Sequence, residues 1–256
     1  AGHPWIEATC IAAAQQLVRR ALQSSERVAG KSQPRLGRET ALLDAHYHGL
    51  PFSSEQSEQA VARAGRYARG LWHHPAFQAA QEEPSSLLAV ERYDHFVLDG
   101  VPVHAVPDLI QRTAEGRYRL VDWKTGESVA AHRETHGAQL SIYALYVAAK
   151  WNVGADEIEC LVADLGSGTT HTFSFDDDAL RQAQERCAQS IVDMRARLCD
   201  PAHNQAQRAD YPPLAEPSAP METLPRVCHI CPYRLLCYGE RSRAWPLADP
   251  ATTTEA

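Results

Sequence analysis

Asp108, Asp122 and Lys124 have the residue types and spacing to hold and use a hard metal ion. Asp99-Gly100, set between two alternating apolar runs, signals a two-residue hairpin turn that places Leu98 opposite Val101 and Glu91 opposite Asp108. Ala114-Glu115-Gly116 suits a three-residue turn with its glycine in the left-handed region, which places Thr113 opposite Arg117 and Asp108 opposite Asp122. The two registers together predict a row of carboxylates, Glu91, Asp108 and Asp122, across three adjacent strands, with neighbouring Cβ atoms roughly 5 Å apart. Lys124, two residues beyond Asp122, shares that face. Like charges directly opposite one another are destabilising, so such a row calls for a counter-ion that favours carboxylate oxygens, Mg2+ or Mn2+. A register shifted by one residue would instead leave surface carboxylates. Pro107 implies an irregular strand end beside Asp108, where a side chain can be re-aimed.

Basic residues are overwhelmingly arginine: among 25 Lys and Arg the only lysines are Lys31, Lys124 and Lys150, so a lysine beside paired carboxylates asks for a chemical reason. A compact ammonium suits the handling of a water or a single oxygen better than a planar guanidinium does.

The seven cysteines are an odd number, and the start, Ala1-Gly2-His3-Pro4-Trp5, has neither a basic nor an apolar leader region, so a disulfide scaffold is not expected. Cys160, Cys187 and Cys199 sit in apolar or helical patterns and read as small core hydrophobes. Cys228, Cys231 and Cys237 form C-x2-C-x5-C, a spacing that can turn several thiolates toward one soft metal centre, with Cys10 or His229 as a fourth ligand if that metal is zinc.

Helical periodicity predicts helices over 4–29, 36–48, 54–74, 137–151 and 177–199, the third capped by Ser53 or Ser54 and the last near Asp176. Alternation predicts strands at 87–98, 101–112, 117–124, 157–165 and 169–175. These elements imply a helical N-terminal region (1–76), a mixed α/β core (77–199), a Pro-, Ala- and Gln-rich linker (200–225), a cysteine segment (226–243) and a disordered tail (246–256). Gly30-Lys31-Ser32 resembles the end of a phosphate loop but lacks the preceding glycine and apolar strand of that motif.

With 44% apolar and 22% charged residues the composition is that of a folded globular protein rather than a disordered one. No apolar run approaches the ~18 residues of a membrane span, and the chain reads as a soluble, cytoplasmic protein without a membrane partner. The absence of an initiating methionine raises the expectation that the sequence begins inside a longer polypeptide or after processing. The net charge of −7 excludes a wholly basic nucleic-acid coat, yet residues 1–40 carry a local positive excess from Arg19, Arg20, Arg27, Lys31, Arg35 and Arg38 that could meet phosphates or form a solvated helix face.

Taken together, Pro107-Asp108 followed by Asp122-Trp123-Lys124, the continuation Thr125-Gly126, and Gln139-Leu140-Ser141-Ile142-Tyr143 resemble the PD-(D/E)XK nuclease superfamily. Within it they are similar to the RecB-like and AddB-like branch, to which the nuclease of CRISPR adaptation is related. The resemblance covers most of residues 10–240. It implies a restriction-endonuclease-like core, a central mixed β-sheet flanked by helices, with a C-terminal segment stapled back by a cysteine cluster. It further implies a metal-dependent DNA nuclease of repair or recombination. Asp108 and Asp122 would hold the metal, the Trp123 carbonyl would add a ligand, Lys124 would activate water, and Gln139 and Tyr143 would face the substrate backbone or brace the site. Cys10, Cys228, Cys231 and Cys237 would carry a four-iron, four-sulfur cluster, zinc being the alternative. The branch places Gly-x-x-x-His on an early helix, and here Gly37-Arg38-Glu39-Thr40-Ala41 puts alanine at the histidine position. Neither His46 nor His48 replaces it simply, while Glu91 could compensate; His73 and His74 read as helix-end or surface residues. The departure opens a second reading, a catalytically weakened domain that binds DNA or a helicase partner.

Overall fold

The computed structural model describes residues 6–29, 42–47, 50–125, 129–207, 209, 211–231 and 233–244. In chain order they form α1 (Glu7–Val28), α2 (Asp44–Tyr47), α3 (Ser54–His73), α4 (Pro75–Glu82), β1 (Leu87–Val90), β2 (Asp94–Leu98), β3 (Val101–Ala105), β4 (Leu109–Arg112), β5 (Tyr118–Lys124), α5 (Arg133–Trp151), β6 (Ile158–Asp164), β7 (Thr170–Phe173), α6 (Asp177–Ala196), α7 (Arg226–Ile230) and α8 (Arg234–Tyr238). The chain divides into two compact units, Arg69–Pro201 and, together, Ala1–Ala68 with Ala202–Ala256. Most of the expected helix at 36–48 and the tail at 246–256 lie outside the described residues.

In the 69–201 unit a five-stranded mixed sheet has the order β1-β4-β5-β6-β7. β5 and β6 are parallel and the other pairs antiparallel, so β5 and β6 need a long crossover, which α5 supplies. One face carries Leu109, Val121, Leu161 and Ala163 against Ala76 of α4; the other carries Ile110, Leu120, Cys160 and Val162 against Leu140, Ala144 and Val147 of α5 and Leu180 of α6. Buried on both faces, β6 reads as a nearly continuous apolar run, Ile-Glu-Cys-Leu-Val-Ala-Asp. This is an α/β core of the restriction-endonuclease-like kind, with helices on both faces of the sheet.

The hairpin registers hold. Leu98 pairs with Val101 across a turn in which Asp99 and Gly100 both adopt positive φ (49° and 77°), the backbone a tight hairpin demands. The same register continues from Asp94 opposite Ala105 to Val90 opposite Leu109. The two long strands expected over 87–98 and 101–112 are each broken in two, however, so that β2 and β3 form a separate two-stranded ribbon. Glu91 at φ 42° bends one arm and Pro107-Asp108 opens the other. The ribbon's Asp94 carboxylate accepts hydrogen bonds from Lys150 Nζ (2.7 Å) and Tyr146 Oη (3.1 Å), fixing it to α5. At the next connection Gly116 (φ 81°) closes the expected three-residue turn, with Thr113 N–H donating to the Arg117 carbonyl. The unanticipated α4 starts from Pro75 at its first position and is capped by His74.

In the other unit, the Ser25 hydroxyl of α1 accepts from the Leu43 amide (2.8 Å) and meets His46 Nδ1 (2.6 Å). Near the other end of the chain a small core forms from Leu224, Cys228 and Tyr238, with Met221 and Cys237 against it. None of the described helices is long and apolar enough to cross a membrane.

Candidate active site

The site is built where β4 and β5 leave their ladder and α5 lies over them. Asp108 immediately precedes β4, where Pro107 cannot donate to a ladder, and its carboxylate is free to turn across to the next strand. Its Oδ2 accepts the Trp123 amide hydrogen at 2.7 Å, and Asp122 is the neighbour on that strand. Extending the β4–β5 register by one pair puts Asp108 opposite Asp122, as the turn chemistry predicts.

Asp122 is 3% exposed, and its Oδ2 is paired with the Lys124 ammonium 2.7 Å away. That ammonium also donates to Gln139 Oε1 (3.0 Å), and Gln139 Nε2 donates to Tyr143 Oη (3.0 Å). Gln139 and Tyr143 lie four residues apart on α5, one turn along the same face. Asp122, Lys124, Gln139 and Tyr143 therefore form one connected chain of polar groups, with Asp108 beside it.

Burial pushes both carboxyls above the usual carboxylate range. For Asp108 burial is the chief cause, opposed by the Trp123 amide and reinforced by the charge of Asp122. For Asp122 burial again leads and Lys124 opposes it. One ammonium thus serves two desolvated carboxyls. Such a donor set fits a divalent cation. Among the described residues no three His, Cys, Asp or Glu side chains converge to hold a metal. Mg2+ does not require that, since it is commonly held by one or two carboxylates, with water and substrate oxygens completing the shell.

Glu91 stands where the register puts it, its amide donating to the Asp108 carbonyl at 3.1 Å, but its side chain is exposed. The left-handed backbone at Glu91 breaks the strict alternation that would have carried the carboxylate to the site face, so the third member of the expected row does not join the pair. His74 is buried rather than superficial. Its Nδ1 accepts from the Ala76 amide (3.1 Å), its Nε2 meets Thr170 Oγ1 (2.9 Å), and its ring stands edge-on to Trp123 at 4.9 Å. With both nitrogens engaged and its pKa lowered, chiefly by burial and then by Arg119, it braces the back of β5. Ala41 and His48 lie outside the described residues, as does Gly126.

The thiols are not assembled. Cys228 is buried with its Sγ 3.3 Å from Tyr238 Oη, Cys237 packs against the same small core, Cys10 and Cys231 are half-buried, and all four are free. As arranged here they do not offer the converging thiolates that a cluster or a zinc ion requires.

Residues that sequence reasoning passed over also reach this face. Asp164 stands in register beside Lys124, its Oδ1 accepting the amides of Gly166 and Ser167 in the β6–β7 turn. His136 lies three residues before Gln139 on α5, a spacing that could have revealed it. No curated protein matches the chain. The family model of the PD-(D/E)XK nuclease superfamily matches residues 12–238, a span that contains Asp108, Asp122, Lys124 and the α5 residues around them. With that match over most of its length and the paired carboxylates and lysine framed on adjacent strands, the chain belongs to the PD-(D/E)XK nuclease superfamily.

Proposed function

We propose that this chain is a Mg2+- or Mn2+-dependent deoxyribonuclease that hydrolyses phosphodiester bonds, a cytoplasmic member of the RecB-like and AddB-like branch working in DNA repair or recombination. The observation that carries the reading is the linked set Asp122–Lys124–Gln139–Tyr143 beside Asp108, two desolvated carboxyls sharing one ammonium. Asp108 and Asp122 hold the cation, and the Trp123 carbonyl is a further candidate ligand. Bound there, the cation supplies Lewis-acid neutralisation of the phosphate oxygens.

Lys124 presents an ammonium on the same face, where it orients the attacking water and balances charge building on the phosphate. Gln139 fixes that ammonium by accepting one of its protons, and Tyr143 fixes the Gln139 amide in turn. His74 holds Trp123 from behind, keeping β5 in place without entering the chemistry.

Motif order and cysteine spacing support the finer branch assignment, in which Cys10, Cys228, Cys231 and Cys237 take up a four-iron, four-sulfur cluster when the protein matures. A helicase or a further stretch of the same chain is the partner this branch implies. The direct test is anaerobic purification followed by incubation of end-labelled single- and double-stranded DNA with Mg2+, Mn2+ or EDTA. The expected result is cleavage with either cation and none with EDTA; DNA binding without cleavage under every metal condition would establish the weakened, binding-only reading that Ala41 suggests.

A further inference from the structure

His132, His136, Gln139 and Tyr143 follow one another at spacings of four, three and four residues, so the side chains that meet Lys124 extend as one stripe toward the start of α5. The rings of His132 and His136 meet edge to face at 6.3 Å. The opening turns of α5 lie on β7: a Cβ at Gly137 would touch the Phe173 ring at 3.5 Å, and Arg133 stacks on that ring at 4.5 Å while donating to the Thr172 carbonyl. On β7, His171 pairs with Val162, which pairs with Asp122, so His171 shares the face of Asp122 two strands away, about 10 Å across the sheet.

We propose that His132, His136 and His171 form an imidazole subsite for a second phosphate of the substrate strand, adjacent to the phosphate that faces Asp108, Asp122 and Lys124. This rests on the nuclease reading above for the identity of the strand. The groups acting electrostatically on His136 are Lys124 from β5, His132 from the start of its own helix and His171 from β7, each a cation when protonated. Arg133 is occupied by Phe173 and Thr172, and Asp164, the nearest carboxylate in the β6–β7 register, has one oxygen committed to its turn. Half-buried and surrounded by such neighbours, His136 has its pKa lowered, first by burial and then by those three groups, and it gives up its proton readily in the free protein.

A phosphate brought into this array returns the missing counter-charge, so imidazole protonation and strand binding reinforce one another. Uptake of one proton on binding weakens affinity about tenfold per pH unit over the window between the free and bound pKa values, with tighter binding on the acid side. Because the contact is made to a phosphate that does not react, its loss raises KM and leaves kcat in place.

The test is the affinity of metal-free, full-length protein in EDTA for a fluorescent ten-nucleotide oligothymidylate, measured from pH 5.5 to 8, together with kcat and KM in Mg2+. The expected result is an affinity that falls by about tenfold or more across that range with proton uptake by calorimetry. His136→Gln and His171→Gln should each flatten the slope and raise KM with kcat within about twofold, while His136→Arg should restore binding with a shallower pH dependence than wild type. An unchanged slope and KM in the His136→Gln, His171→Gln double variant would overturn the subsite, as would failure of the wild type to bind the oligonucleotide at pH 5.5. A histidine-dependent slope in a protein that never cleaves DNA would retain the subsite and sink the nuclease reading instead, so the two failures are distinguishable.

Discussion

Asp108, Asp122 and Lys124 are held by neighbouring strands joined through a short turn, and α5, which follows β5 in the chain, brings Gln139 and Tyr143 over them. Cys10 and the C-x2-C-x5-C run come from opposite ends of the chain, and among the described residues no three of their thiols converge. The carboxylate region forms with its chemical groups already in position, because backbone pairing sets the spacing of the strand residues, and the unfavourable part is electrostatic: one buried and one half-buried carboxyl against one ammonium. In the cysteine region Cys228 lies against Tyr238 in a small core, burial together with that contact pushes the Tyr238 hydroxyl up to about 12, and the buried Arg234 donates to the His229 carbonyl. A site whose strain is charge is completed by adding an ion; a site whose ligands are apart is completed only by moving chain, so binding there would be folding free energy.

The largest expected effects separate the two regions by activity. Lys124→Ala should lower kcat by roughly 10²–10³-fold, the loss typical of one preorganised charge at a reacting oxygen. Asp108→Ala and Asp122→Ala should lower it further, since each removes half of the carboxylate pair. Cys228→Ser should leave kcat within about twofold, because the contact that thiol makes is with Tyr238 of its own segment and not with the carboxylate pair. Equal cleavage by wild type and Asp122→Ala under matched Mg2+ would break the comparison at its root.

Stability should move in the opposite sense at the same positions. A carboxyl whose folded-state pKa lies above its unfolded value stabilises the fold fully below the ordinary carboxylate range, and that contribution is lost as pH rises through the raised folded value. Metal-free wild type should therefore lose stability as pH climbs out of the usual aspartate range, and Mg2+ should restore it at neutral pH. Asp122→Asn, measured without metal at pH 7.5, should melt higher than wild type, because burial disfavours the charged carboxylate there, and should no longer respond to Mg2+. A lower melting temperature with the Mg2+ response intact would mean that Asp122 serves the fold rather than the ion.

How far each region could be read in advance follows from the same difference. Asp99-Gly100 and Ala114-Glu115-Gly116 fix registers by local backbone chemistry, so the alignment of Asp108 with Asp122 was legible, as was the Gln139–Tyr143 pair by helical spacing. Glu91 was not, because its bend depends on a left-handed residue that no glycine or asparagine announces. The buried role of His74 was hidden as well, since its partners Thr170 and Trp123 are distant in sequence and only sheet pairing brings them together. Cysteine spacing says which thiols could share a metal; it carries no information about whether the two ends of the chain meet.

That gap can be measured directly. Anaerobically purified wild type should be brown with a broad visible absorption, Cys228→Ser colourless and cleaved by trypsin within 202–244, and Cys187→Ser, whose thiol lies on α6, still brown. Proteolysis is the sharper readout, because ligand binding that organises α7 and α8 also protects them. Stoichiometric zinc in a colourless wild type would replace the cluster with a thiolate zinc site.

The smallest expected effect concerns the outer end of the polar chain. Tyr143 Oη accepts from Gln139 Nε2, whose partner atom Oε1 holds the Lys124 ammonium, so Tyr143 reaches the chemistry only by keeping the amide from rotating. Tyr143→Phe removes one neutral hydrogen bond worth about 0.5–1.5 kcal/mol and should lower kcat by roughly three- to tenfold, with KM little changed. Gln139→Ala removes both contacts and should cost more. In the double variant the Tyr143→Phe effect should vanish, because without the amide there is nothing left for the hydroxyl to orient. Strict additivity of the two substitutions would place Tyr143 outside the chain and assign it to packing between α5 and the sheet.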